Sequence, residues 1–297
     1  MLIESGFFTS PTVQTALAVG CAVAVVTAIV GVFTVMRGQS FAGHALADLG
    51  AVGGSGAFLV GISQLWGFIG AGILAAVLME LIGIKRIQGR DVATGIVFGL
   101  GLGVTALFLY WDTTIGGSSN AAISVLFGSL FVIDPSIVPM VAALSAVSLL
   151  LILGAYRWLL LDAIDPDLAH VRGVRVRLAG IVFLVALALA VELSSLTIGA
   201  ILSTALLIGP AATALRLTRR VGFAILISGA IGAAATALGV LVSYDSYYWF
   251  GNHTNWPVSF CIVTIVFLAY LASGLATVSR RSRSAAAQVA KLATGGN

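Results

Sequence analysis

The chain has 297 residues, of which 60% are hydrophobic and only 9% charged, with a mean hydropathy of +1.11 and a net charge of +4. A soluble domain carries roughly 25% charged residues, so this is the composition of a polytopic, all-α membrane protein. The basic residues recur between apolar runs and form no single patch, which excludes a nucleic-acid surface and makes them topology signals. Cys21 and Cys261 lie far apart in apolar segments, outside any CxxC or Cys/His array, and read as packing residues.

The N-terminal stretch MLIESGFFTSP has no basic n-region, so no cleavable signal is expected. A span needs about 20 apolar residues, and nine segments qualify: 12–35, 41–61, 65–84, 92–110, 136–158, 178–196, 198–215, 221–243 and 258–278. Eight spans remain open if one glycine-rich segment fails to cross. Residues 1–279 then form one transmembrane domain, and 280–297 a basic cytoplasmic tail. Every Lys and Arg falls between these segments or at their ends: Arg37, Lys85, Arg86, Arg90, Arg157, Arg172, Arg175, Arg177, Arg216, Arg219, Arg220, Arg280, Arg281, Arg283 and Lys291. If these clusters face the cytoplasm, the N-terminus is outside and the C-terminus inside. The loops left on the outer side carry no basic residue but many aromatic ones, such as Trp66, Trp111, Tyr248 and Trp256.

Residues 121–133, AAISVLFGSLFVI, are apolar but too short to cross, and crossing would send Arg157 to the wrong side. They read as a short re-entrant or partial helix, which must be buried by protein or line a cavity. Pro210, inside ALLIGPAATAL, should kink or break its helix.

An ionisable residue within a span is a functional candidate by default. His44 and Asp48 in SFAGHALADLG stand four apart and share one helix face. An imidazole nitrogen and a carboxylate oxygen so placed could hold zinc or manganese, or the two could be a satisfied structural pair. One pair is too few ligands for a closed site, whereas a dimer would supply two His and two Asp. Glu80 reads as an interfacial partner of Lys85 and Arg86. Glu192 either guides cations or hydrogen-bonds to Ser195 or a neighbouring helix. His253 is a weak pathway candidate in an outer loop. There is no GxxxxGK[ST] phosphate loop, HExxH or GxSxG motif, so neither ATP hydrolysis nor catalysis is assigned to this chain.

The cytoplasmic connection 159–180 contains Asp165 as a candidate N-cap, Pro166 for a first turn and Gly173 as a terminator. A short capped helix there is either a docking device or an amphipathic connector.

Four stretches carry a resemblance over nearly the whole chain: GVFTVMRGQSFAGHALAD (31–48), LFGSLFVIDPS (126–136), DPDLAHVRGV (165–174) and IGAILSTALLIGPAATALRLTRR (198–220). The chain resembles the integral-membrane permease subunit of zinc/manganese-type metal-uptake ABC transporters. That resemblance implies a homodimer or paired permeases in a prokaryotic cytoplasmic membrane, a separate cytoplasmic ATPase and an external metal-binding protein. It implies import of zinc or manganese, with iron a further option, and no permanently bound cofactor. His44 and Asp48 would meet the metal, and Asp165, Pro166, Ala169 and Gly173 would belong to the ATPase-coupling loop. Family members present Asp before His in a GDALSHA-like stretch, whereas this chain has GHALADL. The reversal keeps the chemical pair on one face but exchanges the depths of nitrogen and oxygen, which bears on metal preference. The rival expectation is an ATPase-independent transporter with His44 and Asp48 as a proton relay.

Overall fold

A computed structural model of the chain describes residues 7–81, 87–114, 120–128, 130–165, 169, 171–172, 176–249 and 255–294. The described residues form ten α-helices and two 3₁₀ turns. In chain order these are α1 (Pro11–Met36), α2 (Ser40–Val60), α3 (Gln64–Leu81), α4 (Ile87–Thr114), α5 (Ala121–Phe127), α6 (Val138–Ile164), α7 (Val176–Ile198), α8 (Ala200–Leu217), α9 (Val221–Trp249) and α10 (Val258–Thr294). Each of the nine expected apolar segments lies within or largely over one of the nine long helices. Six helices, α1, α6, α7, α8, α9 and the first part of α10, are long and apolar enough to cross a membrane. Helix α2 is not among them, because five glycines together with His44 and Asp48 lower its mean hydropathy.

Local sequence explains the first two turns. Pro11 occupies the start of α1, where its missing N–H costs nothing. The α1 C-terminus closes through Gly38 N–H to Val35 O (3.1 Å) and Gln39 N–H to Thr34 O (2.9 Å), with Gly38 at φ +63°. The same pair of bonds recurs at Gly61 and Ile62, closing α2. Both are glycine-terminated helix ends that satisfy the last carbonyls; both turns are tight, and α2 and α3 pack on one another as a hairpin.

Helix α7 is the axis of the bundle, packed by α1, α2, α3, α6 and α8. With little hydrophobic drive between helices in lipid, cohesion rests on close backbone approach and on Ser/Thr hydrogen bonds. Both are present. Thr27 Oγ1 donates to Ala190 O (3.1 Å), Ser148 Oγ to Ala186 O (2.9 Å) and Ser228 Oγ to Ala28 O (2.8 Å), tying α1 to α7, α6 to α7 and α9 to α1. Gly53 of α2 and Gly67 of α3 lie so close that a Cβ on either would strike the other's carbonyl.

The short segment after residue 120 behaves as its length requires. Helix α5 spans seven residues, about 10 Å at 1.5 Å per residue, against a hydrocarbon core of about 30 Å. It packs on α2, α7 and α8, then turns at Gly128 (φ +80°) into the 3₁₀ turns Leu130–Val132 and Pro135–Ile137. A side chain at Gly128 would meet the backbone around Gly199 (φ +91°), and the reverse also holds, so these two glycines let the segment seat against the α7–α8 junction. Pro210 does not break α8, which is continuous from Ala200 to Leu217. Thr213 Oγ1 donates to Gly209 O (2.7 Å) beside it.

One buried ion pair fixes the other end of the bundle. Arg37 Nη1 lies 2.6 Å from Asp162 Oδ2, both side chains are 9% exposed, and the guanidinium stacks over Phe183 at 4.9 Å. The sequence marks Arg37 only as a topology signal; its partner is 125 positions away, where no local pattern finds it. Glu80 lies beside Gly180 of α7 and within electrostatic reach of Arg37. Its expected partners Lys85 and Arg86 lie outside the described residues.

Two stability predictions follow from this packing. In unfolding by sodium dodecyl sulfate titration from mixed micelles, Gly53→Leu should lose about 1–3 kcal/mol through overpacking. Gly70→Ala, where a Cβ meets nothing within 4 Å, should be neutral or gain about 0.5–1 kcal/mol. Arg37→Ala, which strands Asp162, should cost about 1–3 kcal/mol, and the double replacement Arg37→Met with Asp162→Leu should cost less than Arg37→Ala alone.

Candidate metal pathway

Three ionisable side chains inside the bundle, His44, Asp48 and Glu192, lie on α2 and the adjoining α7. His44 and Asp48 stand one turn apart on α2, with the Asp48 side chain buried and the His44 side chain 34% exposed. Gly43, just before His44, packs against Leu207 with no room for a side chain, which holds the first turn of α2 against α8. His44 Nδ1 shares a 2.9 Å hydrogen bond with Thr204 Oγ1 on α8. The other ring nitrogen, Nε2, faces Asp48 Oδ2 at 3.8 Å, too long for a hydrogen bond, and Asp48 Oδ2 has no hydrogen-bond partner.

This geometry differs from a self-satisfied His–Asp pair. The histidine is oriented by a third residue, and the gap to the carboxylate suits an ion. Two ligands of one tetrahedral ion at about 2.1 Å lie roughly 3.4 Å apart, so closing onto a metal needs a shift of about half an ångström. A hydrogen bond at one imidazole nitrogen is the usual device for aiming the other at a metal. Among the described residues, no three His, Cys, Asp or Glu side chains converge as a metal-binding group.

Glu192 lies on α7, only 1% exposed, with its carboxylate wedged against α2 at Gly50 and α3 at Gly72. The expected hydrogen bond with Ser195 is not formed: neither Glu192 oxygen, nor Ser195 Oγ, has a hydrogen-bond partner. Asp48 is near enough for the two charges to act on one another.

At the loop after α6, Asp165 is extended (φ −151°, ψ 99°), and its carbonyl accepts from Ala169 N–H at 3.0 Å, one helical turn on. Ala169 is fully buried. Pro166, Gly173 and His253 lie outside the described residues. Sequence reasoning did not single out Thr204: although it sits inside the 198–220 stretch, its link to His44 spans 160 positions. It also passed over Asp134. This residue and Gln64 line a cavity of about 590 Å³ between the α2–α3 turn and the 3₁₀ turns.

The chain is similar to known proteins along most of its length. The chain is 32% identical over 262 residues to the manganese import system permease protein ScaB of Streptococcus parasanguinis, covering 88% of this chain and 89% of that one. It is 27% identical to the manganese transport system membrane protein MntC of Listeria innocua, over 91% of this chain and 94% of the relative. Among solved structures, PsaBC from Streptococcus pneumoniae in complex with Fab superposes with a TM-score of 0.77 at 28% identity, covering 90% of this chain and 92% of that one. Residues 9–277 match the ABC 3 transport family, and the chain belongs to that family of integral-membrane permeases.

Proposed function

We propose that this chain is the permease subunit through which a divalent transition metal, manganese in the first instance, enters the cell. The observation that carries the reading is the α2 pair: His44 aimed by Thr204, facing the unpartnered Asp48 oxygen at 3.8 Å. Its relatives ScaB and MntC, named for manganese import and transport, support manganese ahead of zinc and iron. In this reading Nδ1–H donates to Thr204 Oγ1 and leaves the Nε2 lone pair toward the ion, while Asp48 supplies an oxygen. Two such pairs from a homodimer would complete four-coordination across the subunit axis, in keeping with the incomplete ligand set of one chain. Glu192 and His253 are further pathway candidates.

The energy comes from a partner. The chain has no phosphate loop, so ATP binding and hydrolysis belong to a cytoplasmic ATPase subunit engaging the 165–174 loop through Asp165, Pro166, Ala169 and Gly173. An external metal-binding protein would deliver the ion to the outer face. The basic clusters support a cytoplasmic-membrane location with the N-terminus outside and the C-terminus inside.

In cells expressing the partner ATPase, His44→Ala and Asp48→Ala should each reduce uptake of radiolabelled manganese at least tenfold while the complex still assembles. Normal uptake by both variants would remove the pair from the pathway. Ala169→Glu, which forces a charge into a buried position of the loop, should lower uptake and metal-dependent ATP hydrolysis together by at least tenfold. ATP hydrolysis at the parent level would place the contact elsewhere.

A further inference from the structure

Glu192 presents a problem the α2 pair does not solve. An ionised carboxylate in a dry interior without a partner costs several kcal/mol, yet both its oxygens are buried and unbonded. The helices around it supply the explanation. At the level of the carboxylate, α2 and α3 present Gly50 and Gly72, and the Glu192 side chain occupies the space their side chains would fill. Ser195, one turn along α7, adds a buried hydroxyl that also lacks a partner. With Asp48 of α2 within electrostatic reach, the side-chain groups near Glu192 are oxygen donors: two carboxylates and the hydroxyl of the next turn of α7.

The same three helix faces lead to the cavity. Phe58 is eight residues on from Gly50, Leu65 seven before Gly72, and Leu196 four on from Glu192, spacings that return to the same helix face. All three line the cavity. One turn above the carboxylate, the fully buried Phe68 ring packs against Gly54 and occupies the seam between the two levels. By helical rise, the cavity floor stands roughly 6–12 Å above Glu192. The cavity itself attracts cations. Asp134 is exposed there, the Ser136 N–H donates to its Oδ1 at 2.8 Å and holds its carboxyl below the usual carboxylate range, and no Lys or Arg lines the wall.

From this stacking we infer that Glu192, with Ser195, is a separate binding station for a hard divalent cation, filled from the Asp134 cavity and closed off from it by Phe68. Oxygen-only donors favour manganese over zinc, which prefers nitrogen and sulfur. The station lies within the subunit and is centred on Glu192, with Asp48 of the α2 pair within electrostatic reach. It rests on the import reading for its place on a route, but not for its existence.

The test is equilibrium binding of Mn²⁺ to the full chain, co-expressed with its ATPase and held in lipid nanodiscs, read from the free-ion electron paramagnetic resonance signal. Glu192→Gln keeps the shape of the side chain and should bind one Mn²⁺ fewer per chain than the parent. His44→Ala, which leaves Asp48 in place, should keep that ion. Equal Mn²⁺ stoichiometry in the parent and Glu192→Gln would overturn the station, leaving a neutral buried acid. Phe68→Leu should leave the stoichiometry unchanged and speed loading by tenfold or more; loading at the parent rate would remove the gate. Because the stoichiometry is read at equilibrium, it does not depend on import, and the uptake of His44→Ala and Asp48→Ala decides that reading separately.

Discussion

The fold depends on how closely α2 can approach α3 and α7. Apolar side chains gain little by meeting one another in lipid, so the hairpin of α2 and α3 must hold by near contact of backbones, and Gly53 against Gly67 provides it. The same thinness of α2 has a second effect. At Gly50 it leaves a recess, and the carboxylate of Glu192 enters it. The glycines that make the helices cohere therefore also create the spaces in which polar groups can sit at depth.

Polar placement follows a consistent logic through the bundle. Hydroxyls on α1, α6 and α9 donate to carbonyls of neighbouring helices and are spent on cohesion. The carboxylates of Asp48 and Glu192 are not spent in this way. Asp48 Oδ2 and both oxygens of Glu192 instead lie buried without a hydrogen bond, an arrangement that adds nothing to cohesion. Thr204 stands between these classes: its hydroxyl links α8 to α2, and in doing so sets the direction of the His44 ring.

Much of this was legible in the sequence, and the limits have physical causes. Apolar runs of about 20 residues in 297 announce long helices directly, and 121–133 was readable as a partial segment because its length cannot match a bilayer. The i, i+4 spacing of His44 and Asp48 placed them on one face without any structure. What escaped were pairings across the bundle: Thr204 with His44, Arg37 with Asp162, Gly50 and Gly72 with Glu192. Each joins residues far apart in the chain, and hydropathy or helical period reports only what lies within a few turns. Of the kink or break expected at Pro210, the break is not found. A proline rule describes an isolated helix, and α8 continues through it where Gly209 packs on Val266 of α10.

The Arg37–Asp162 pair carries one more consequence. Arg37 stands three residues before the first residue of α2, and Asp162 three before Asp165, where the helix gives way to the 165–174 loop. The pair is therefore a tie rod between the C-terminal end of α6 and the root of the helix bearing His44. While it holds, a displacement of that end of α6 has a direct route to Ser40 that does not cross the full thickness of the bundle. The lever arm from that root to His44 is a single helical turn.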